Sequence, residues 1–356
     1  MTADALIRAT RTCSRTRNGM RALIAPALCI VSGVMVSACG PEEDGRPDDP
    51  TTVEVRAVTD KSPVRTWRAV TGLLRDIATA NGAASRWGID TNIGSSTTGP
   101  SGYRVVKWSG DRWAATAGRG ARIALRGTGD ANLDGISDVF VPWVVTTSGY
   151  IWRANDNSGN TWTRVANLRF DVSAVDIGSS GPAANMTMWS AGSDGRIYRF
   201  LDQVGQWSPV TGAPTNVIRV AGPVRTLPGD TPIELMALTS AGEVWALLPS
   251  GAVPWTRLPG GADPGRTDVS WEADLELLGH RDGFLTSMMV TSSAPGDNNR
   301  VVTFRPDGFF SPAFVETGPY TVGGVPIPSF PIAVSPDVDR HRAWIVTADN
   351  RVYYGE

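Results

Sequence analysis

The chain has 356 residues, a formal net charge of −2, 41% hydrophobic residues, three cysteines and two histidines. Its only lysines are Lys61 and Lys107, and with 33 basic against 35 acidic side chains the chain is a poor candidate for nucleic acid. So few Cys and His also exclude a disulfide framework and a Cys/His zinc cluster.

The first segment is an export signal rather than part of a fold. Arg8, Arg11, Arg15, Arg17 and Arg21 precede an apolar run over residues 22–36, too short for a comfortable membrane span and ending in small residues before Cys39. Met20 offers a second start with the same charged and apolar parts. Val36-Ser37-Ala38-Cys39 resembles the lipobox of bacterial lipoproteins, with Val36 in place of the family's usual Leu. The resemblance implies that residues 1–38 are removed and that Cys39 carries lipid. Gly40 behind it resembles lipoproteins sent to an outer membrane. Of Cys13, Cys29 and Cys39 only the last survives cleavage, and acylation gives that unpaired thiol a reason to exist.

Residues 39–52 read as an acidic tether. Gly40 to Thr52 carries five acids and one Arg among Pro and Gly, with too little apolar surface to offset the entropy of ordering. Residues 1–38 hold five Arg and one Asp, so the chain from Cys39 onward stands near −6.

Residues 53–356 repeat. An apolar residue after a turn recurs as Val105, Ile151, Ile197, Val244, Val302 and Val352, at steps of 46, 46, 47, 58 and 50 residues. The aromatic opening the next strand recurs as Trp67, Trp113, Trp162, Trp207, Trp255 and Phe310, at steps of 46, 49, 45, 48 and 55. Short strands with Trp and Gly markers at a period of roughly 40 to 50 residues are the signature of propeller blades, one four-stranded sheet per repeat. The turns use Gly195, Gly242 and Asn350, residues that tolerate positive φ.

The last repeat stops one strand short, and the missing strand stands at the other end. Val64 to Gly72 has the Trp-x-x-Val-x-Gly form of Trp207 to Gly212 but follows no repeat of its own. Pairing it with the last repeat gives an all-β, six-bladed β-propeller closed by an N-terminal strand; seven blades, using residues 51–58 as strand, is the alternative. The repeat resembles tectonin-type propellers, whose members bind sugars or proteins and are generally not enzymes. Likeness of fold does not fix function.

One loop has metal chemistry. Asp130, Asn132, Asp134 and Asp138 stand in the form Asp-x-Asn-x-Asp-Gly-x-x-Asp, with side-chain oxygens on alternate residues, Gly135 for the sharp turn and the Ile136 carbonyl as a further ligand. The loop resembles the calcium loop of FG-GAP and VCBS propeller repeats, which implies a structural calcium ion. A metal-free loop held by its own Asp and Asn turns is the other reading.

Catalytic signatures are missing: there is no HExxH, GxSxG or GxGxxG, and neither lysine follows Gly as in a P-loop. No catalytic residue is assigned. Glu234, Glu243, Glu276 and Asp282 leave a polysaccharide hydrolase as the weakest reading. Trp67, Trp113, Trp162, Trp207 and Trp255 are expected to wedge between blades, and Trp152, Tyr198, Trp245 and Tyr353 to pack. Trp87 and Trp271 fall outside these positions and are the candidates for an exposed sugar platform. The expected protein is a lipid-anchored, non-catalytic module of the cell envelope, at the outer membrane, binding carbohydrate or, alternatively, an envelope protein.

Overall fold

The computed structural model describes residues 67–80, 85–94, 99–129, 139–181, 186–222, 234–248, 254–257, 270–281, 284–292, 301–307, 311–316, 321–322, 325–326, 331–337 and 342–355, with backbone alone from 270 to 331 and at 336–337 and 342–343. All belong to the compact unit Thr59–Glu356. The signal, Cys39, the tether and the Asp130–Asp138 loop lie outside the described residues.

The described chain is all-β, built from four-stranded antiparallel sheets in which sequence neighbours pair. β1 (Trp67–Thr79), β2 (Arg86–Gly94), β3 (Gly102–Trp108) and β4 (Trp113–Gly120) come first, then β5 (Arg122–Gly127), β6 (Phe140–Val145), β7 (Ile151–Ala154) and β8 (Trp162–Arg164). The third sheet holds β9 (Ala174–Ser180), β10 (Thr187–Gly192), β11 (Ile197–Leu201) and β12 (Gln206–Pro209). The fourth holds β13 (Val217–Ala221), β14 (Leu235–Thr239), β15 (Val244–Leu247) and β16 (Trp255–Arg257). A fifth holds β17 (Ser270–Arg281), β18 (Phe284–Ser292), β19 (Val301–Asp307) and β20 (Ser311–Glu316). A two-stranded ribbon of β21 (Thr321–Val322) and β22 (Val325–Pro326) precedes β23 (Pro331–Asp337), β24 (Arg342–Thr347) and β25 (Arg351–Gly355).

Strand β1 belongs to two sheets. Its first half pairs antiparallel with β25, Trp67 opposite Gly355 and Val70 opposite Val352, and its second half pairs with β2, Ile77 opposite Gly88. The register shifts between Val70 and Leu73 and again between Leu74 and Asp76, and Gly72 sits between at φ 123°. A bulge bends a strand and re-aims it. Here it carries the chain from the outer edge of one sheet to the first position of the next.

First and second strands such as Arg122–Gly127 and Leu235–Thr239 are buried on nearly every residue, which explains their continuous rather than alternating apolar runs. First strands neighbour one another in order: β1 lies against β5, β5 against β9, β9 against β13, β13 against β17, β17 against β23, and β23 against β1.

The turns between second and third strands hold neighbouring sheets together. Gly149, Gly195, Gly242 and Asn350 occupy equivalent places in them with φ of 77°, 74°, 73° and 65°, as the turn residues require. Three of these residues then accept a hydrogen bond from the start of the following first strand. Ala174 donates to Gly149 O at 2.9 Å, Val217 to Gly195 O at 3.0 Å, and Leu74 to Asn350 O at 2.8 Å. First-strand starts and second-to-third turns therefore share one end of the sheets, the leading end.

Candidate functional site

The tryptophans whose side chains are described are spent on packing. A fourth-strand Trp meets a second-strand Trp of the preceding sheet: Trp207 lies 6.5 Å from Trp143, and Trp113 lies 6.1 Å from Trp344. Trp255 and Trp189 share one apolar cluster, and Trp162 packs on the cluster that contains Trp87. The wedge role expected of Trp113, Trp162, Trp207 and Trp255 is what these contacts describe, while Trp67 is buried over Gly355. Tyr198 and Tyr353 are buried, and Trp152 and Trp245 are half-buried against clusters.

Trp87 corrects the sequence reading: it is fully buried and is no exposed platform. It belongs to a second repeat position, with Trp143, Trp189 and Trp344 on the second strands. Each faces a third-strand partner, namely Lys107, Arg153, Arg199 and Tyr354. The Lys107 ammonium lies 5.1 Å from the centroid of the Trp87 ring. That ammonium donates to the Asn157 carbonyl at 2.7 Å and Asn157 Oδ1 at 3.0 Å. Gly159, at φ 67°, brings its loop so close that a Cβ would sit 3.0 Å from the ring. Burial pushes the Lys107 pKa down against the pull of Asp156, whose own carboxyl is held low by hydrogen bonds from Ser158. Trp271 pairs with Thr291 in the fifth sheet, and its side chain lies outside the described residues.

Near the leading end, charged residues alternate along successive first strands: Asp76, Arg122, Asp176 and Arg219. The carboxylates are buried and act as backbone acceptors, Asp76 Oδ2 taking the Ile123 N–H at 2.9 Å and Asp176 Oδ2 the Val220 N–H at 2.8 Å. Arg122 reaches Asp76 at 3.7 Å. Buried charges need such pairing and hydrogen bonding. Aligning the first strands on Asp76-Ile77, Arg122-Ile123, Asp176-Ile177 and Arg219-Val220 would have found the pattern in the sequence.

The opposite, trailing end of the second sheet holds a pocket of about 170 Å³ lined by Arg126, Thr128, Val141, Trp143, Arg153 and Asn155. Arg126, buried near the end of β5, gives both guanidinium nitrogens to Asp202 at 2.7 and 2.6 Å and its Nε–H to the Met186 carbonyl at 2.8 Å. Arg153 is exposed at the same ring of Trp143, 6.0 Å from its centroid, against 5.7 Å for Arg126. The Asn155 amide is fixed, donating to Thr161 Oγ1 at 3.1 Å and accepting from Thr163 Oγ1 at 2.6 Å. Thr128 N–H donates to Val139 O at 2.9 Å, joining the two ends of the stretch that contains Asp130, Asn132, Asp134, Ile136 and Asp138. The pocket residues carry no sequence motif: they come from three consecutive strands, β5, β6 and β7, and from the residues just beyond β5 and β7, and only the pairing of those strands brings them to one wall.

Of the carboxylates considered for hydrolysis, Glu243 is engaged with Arg257 at 3.1 Å and accepts from the Trp245 indole at 3.2 Å. Glu276 pairs with Met288 in the fifth sheet, with its side chain outside the described residues, as is Asp282.

No family model matches the chain, and no curated protein matches it. Similar solved structures include the β-propeller domain of Cps50 (Swd1) from Myceliophteria thermophila, with a TM-score of 0.48, 9% identity, and coverage of 81% of this chain and 98% of that one. Another is BBS1N in complex with ARL6DN, with a TM-score of 0.40, 12% identity, and coverage of 74% and 66%.

Proposed function

We propose that this chain is a non-catalytic binding module: a six-bladed β-propeller, tethered to the outer membrane through lipid on Cys39, that docks an envelope protein on its leading end. Support for six blades and ring closure comes from the cyclic order of first strands and from the Leu74 to Asn350 hydrogen bond, which repeats the latches at Gly149 and Gly195. The tether rests on the Val36–Cys39 site and the acidic segment behind it. Calcium at Asp130, Asn132, Asp134, Ile136 and Asp138 belongs to the same proposal, as a structural ion.

One observation carries the choice of partner. Leu73, Ile93, Tyr150, Phe170 and Val175 are all exposed apolar residues of the leading end, and Phe170 is fully exposed. Val139, Leu201 and Val204 are exposed at the trailing end, so the leading end holds five of the eight exposed large apolar residues among the described residues, and exposed apolar surface of that kind marks an interaction site where it is contiguous. No described tryptophan is exposed, so the stacking platform that suggested sugar is not found among them.

The test is photo-crosslinking of the full-length protein in envelope preparations, comparing the parent with an Ile93→Asp, Phe170→Asp variant of unchanged melting temperature. The proposal expects one reproducible adduct with the parent and its loss in the variant. An identical adduct pattern would overturn it.

The polar pocket at the trailing end favours a second reading, carbohydrate binding, in which hydrogen bonds and charge replace stacking. A glycan array with the full-length protein in detergent tests it.

A further inference from the structure

We infer that the trailing-end pocket of the second sheet is a binding site for a small hydroxy-carboxylate, the chemistry of a uronate sugar. The inference rests on the second, carbohydrate reading and is independent of a protein partner at the leading end.

The argument starts from the two cations of the wall. Arg126 is saturated: Asp202 takes both terminal guanidinium nitrogens, and the Met186 carbonyl takes Nε–H. That pair is neutral as a unit, with Arg126 buried and Asp202 part-exposed at the surface. Arg153 faces the same pocket, is exposed, and has no ion pair with a described residue. The described wall therefore carries one uncompensated positive charge, on a planar fork that matches a carboxylate with two parallel hydrogen bonds.

Size and surroundings narrow the ligand further. About 170 Å³ is below the roughly 300–1,000 Å³ of sites for drug-sized molecules, so the pocket suits one small polar unit. Trp143 is buried and already has two guanidiniums at its ring, which leaves no open face on which a neutral pyranose could stack. Thr128 and Asn155 add polar atoms to the wall, and the Asn155 amide is held in place by Thr161 and Thr163 before any ligand arrives. Preorganised polar groups reduce the ordering cost of binding. A ligand with a carboxylate for Arg153 and hydroxyls for the rest fits this wall better than a neutral sugar or a bare carboxylate.

Calorimetric titration of the full-length protein in detergent with glucuronate, glucose and acetate tests the site. The expected result is that glucuronate binds at least about tenfold more tightly than either control, and that Arg153→Gln weakens it by about tenfold or more with an unchanged melting temperature. Arg153→Lys, which keeps the charge and loses the fork, should fall between the two. Equal affinities for glucuronate and glucose, or undiminished glucuronate binding by Arg153→Gln, would overturn the inference. If neutral glycans bind on the array while glucuronate does not, the acid site fails and the carbohydrate reading stands. If no glycan binds at all, both fail.

Discussion

The Leu74 N–H donates to the Asn350 carbonyl at 2.8 Å, joining a residue near the start of the described chain to a turn near its end. The bond repeats those from Ala174 to Gly149 and from Val217 to Gly195, which join consecutive sheets. Beside it, Trp113 packs on Trp344 as Trp207 packs on Trp143. The last sheet therefore meets the first as the second meets the third.

That relationship predicts the effect of trimming the N-terminus. Removing residues 40–60 leaves the melting temperature nearly unchanged. Removing residues 40–72 strips the strand that pairs with β25 and opens two sheet edges, and the midpoint falls by roughly 5 °C or more, each kcal/mol being worth about 2–4 °C in a domain of 150–250 residues. Equal midpoints by scanning calorimetry would refute closure.

Trp87→Ala separates packing from recognition. Because the ring is fully buried against Lys107 and the Gly159 loop, truncation costs about 3–5 kcal/mol in urea unfolding. A loss below about 1 kcal/mol would mean that the ring is not core.

Gly118 has no room for a methyl group. A Cβ there would lie 2.6 Å from Cε2 of the Trp162 ring and 2.9 Å from Val105, so Gly118→Ala destabilises by about 1–3 kcal/mol. Pairing it with Trp162→Leu should recover part of that loss, a coupling that a double-mutant cycle measures. Strict additivity would argue against the wedge.

Tyr198 links stability to alkaline pH. Burial, and the hydrogen bond it donates to Asp194 at 2.8 Å, raise its pKa above 10.0. The unfolded chain then loses this proton first, so the native state binds more protons and stability falls as pH rises past 10. The Tyr198→Phe variant should show a shallower alkaline decline in unfolding free energy than the parent between pH 9 and 11. Parallel declines would remove Tyr198 from the account.

Calcium should stabilise the fold by mass action, roughly 3 kcal/mol at a hundredfold excess over its dissociation constant. Chelation is expected to lower the melting temperature of the parent and leave that of Asp134→Ala unmoved. A parent indifferent to chelator would rule out a structural ion.

The sequence by itself determined the local structure, because strand, turn and repeat are written in short-range chemistry. Gly195, Gly242 and Asn350 take positive φ since few other residues do so cheaply, and the Gln206–Pro209 strand follows its turn at the expected place. Even the pairing of Trp67–Val70 with Val352–Gly355 was legible, since an edge left open at one end of a repeat array matches a spare strand at the other. What only the tertiary structure decided is which face each side chain presents. Trp87 stands on a second strand, apart from the fourth-strand tryptophans, and the sheet stacked on it, not its spacing, buries it. Arg126 and Arg153 have no sequence signature in common. They meet because β5 and β7 flank β6, and Arg126 is neutralised because a turn 76 residues away brings Asp202 to it. Charge balance in a pocket is a sum over residues brought together by folding, and spacing along the chain does not encode that sum.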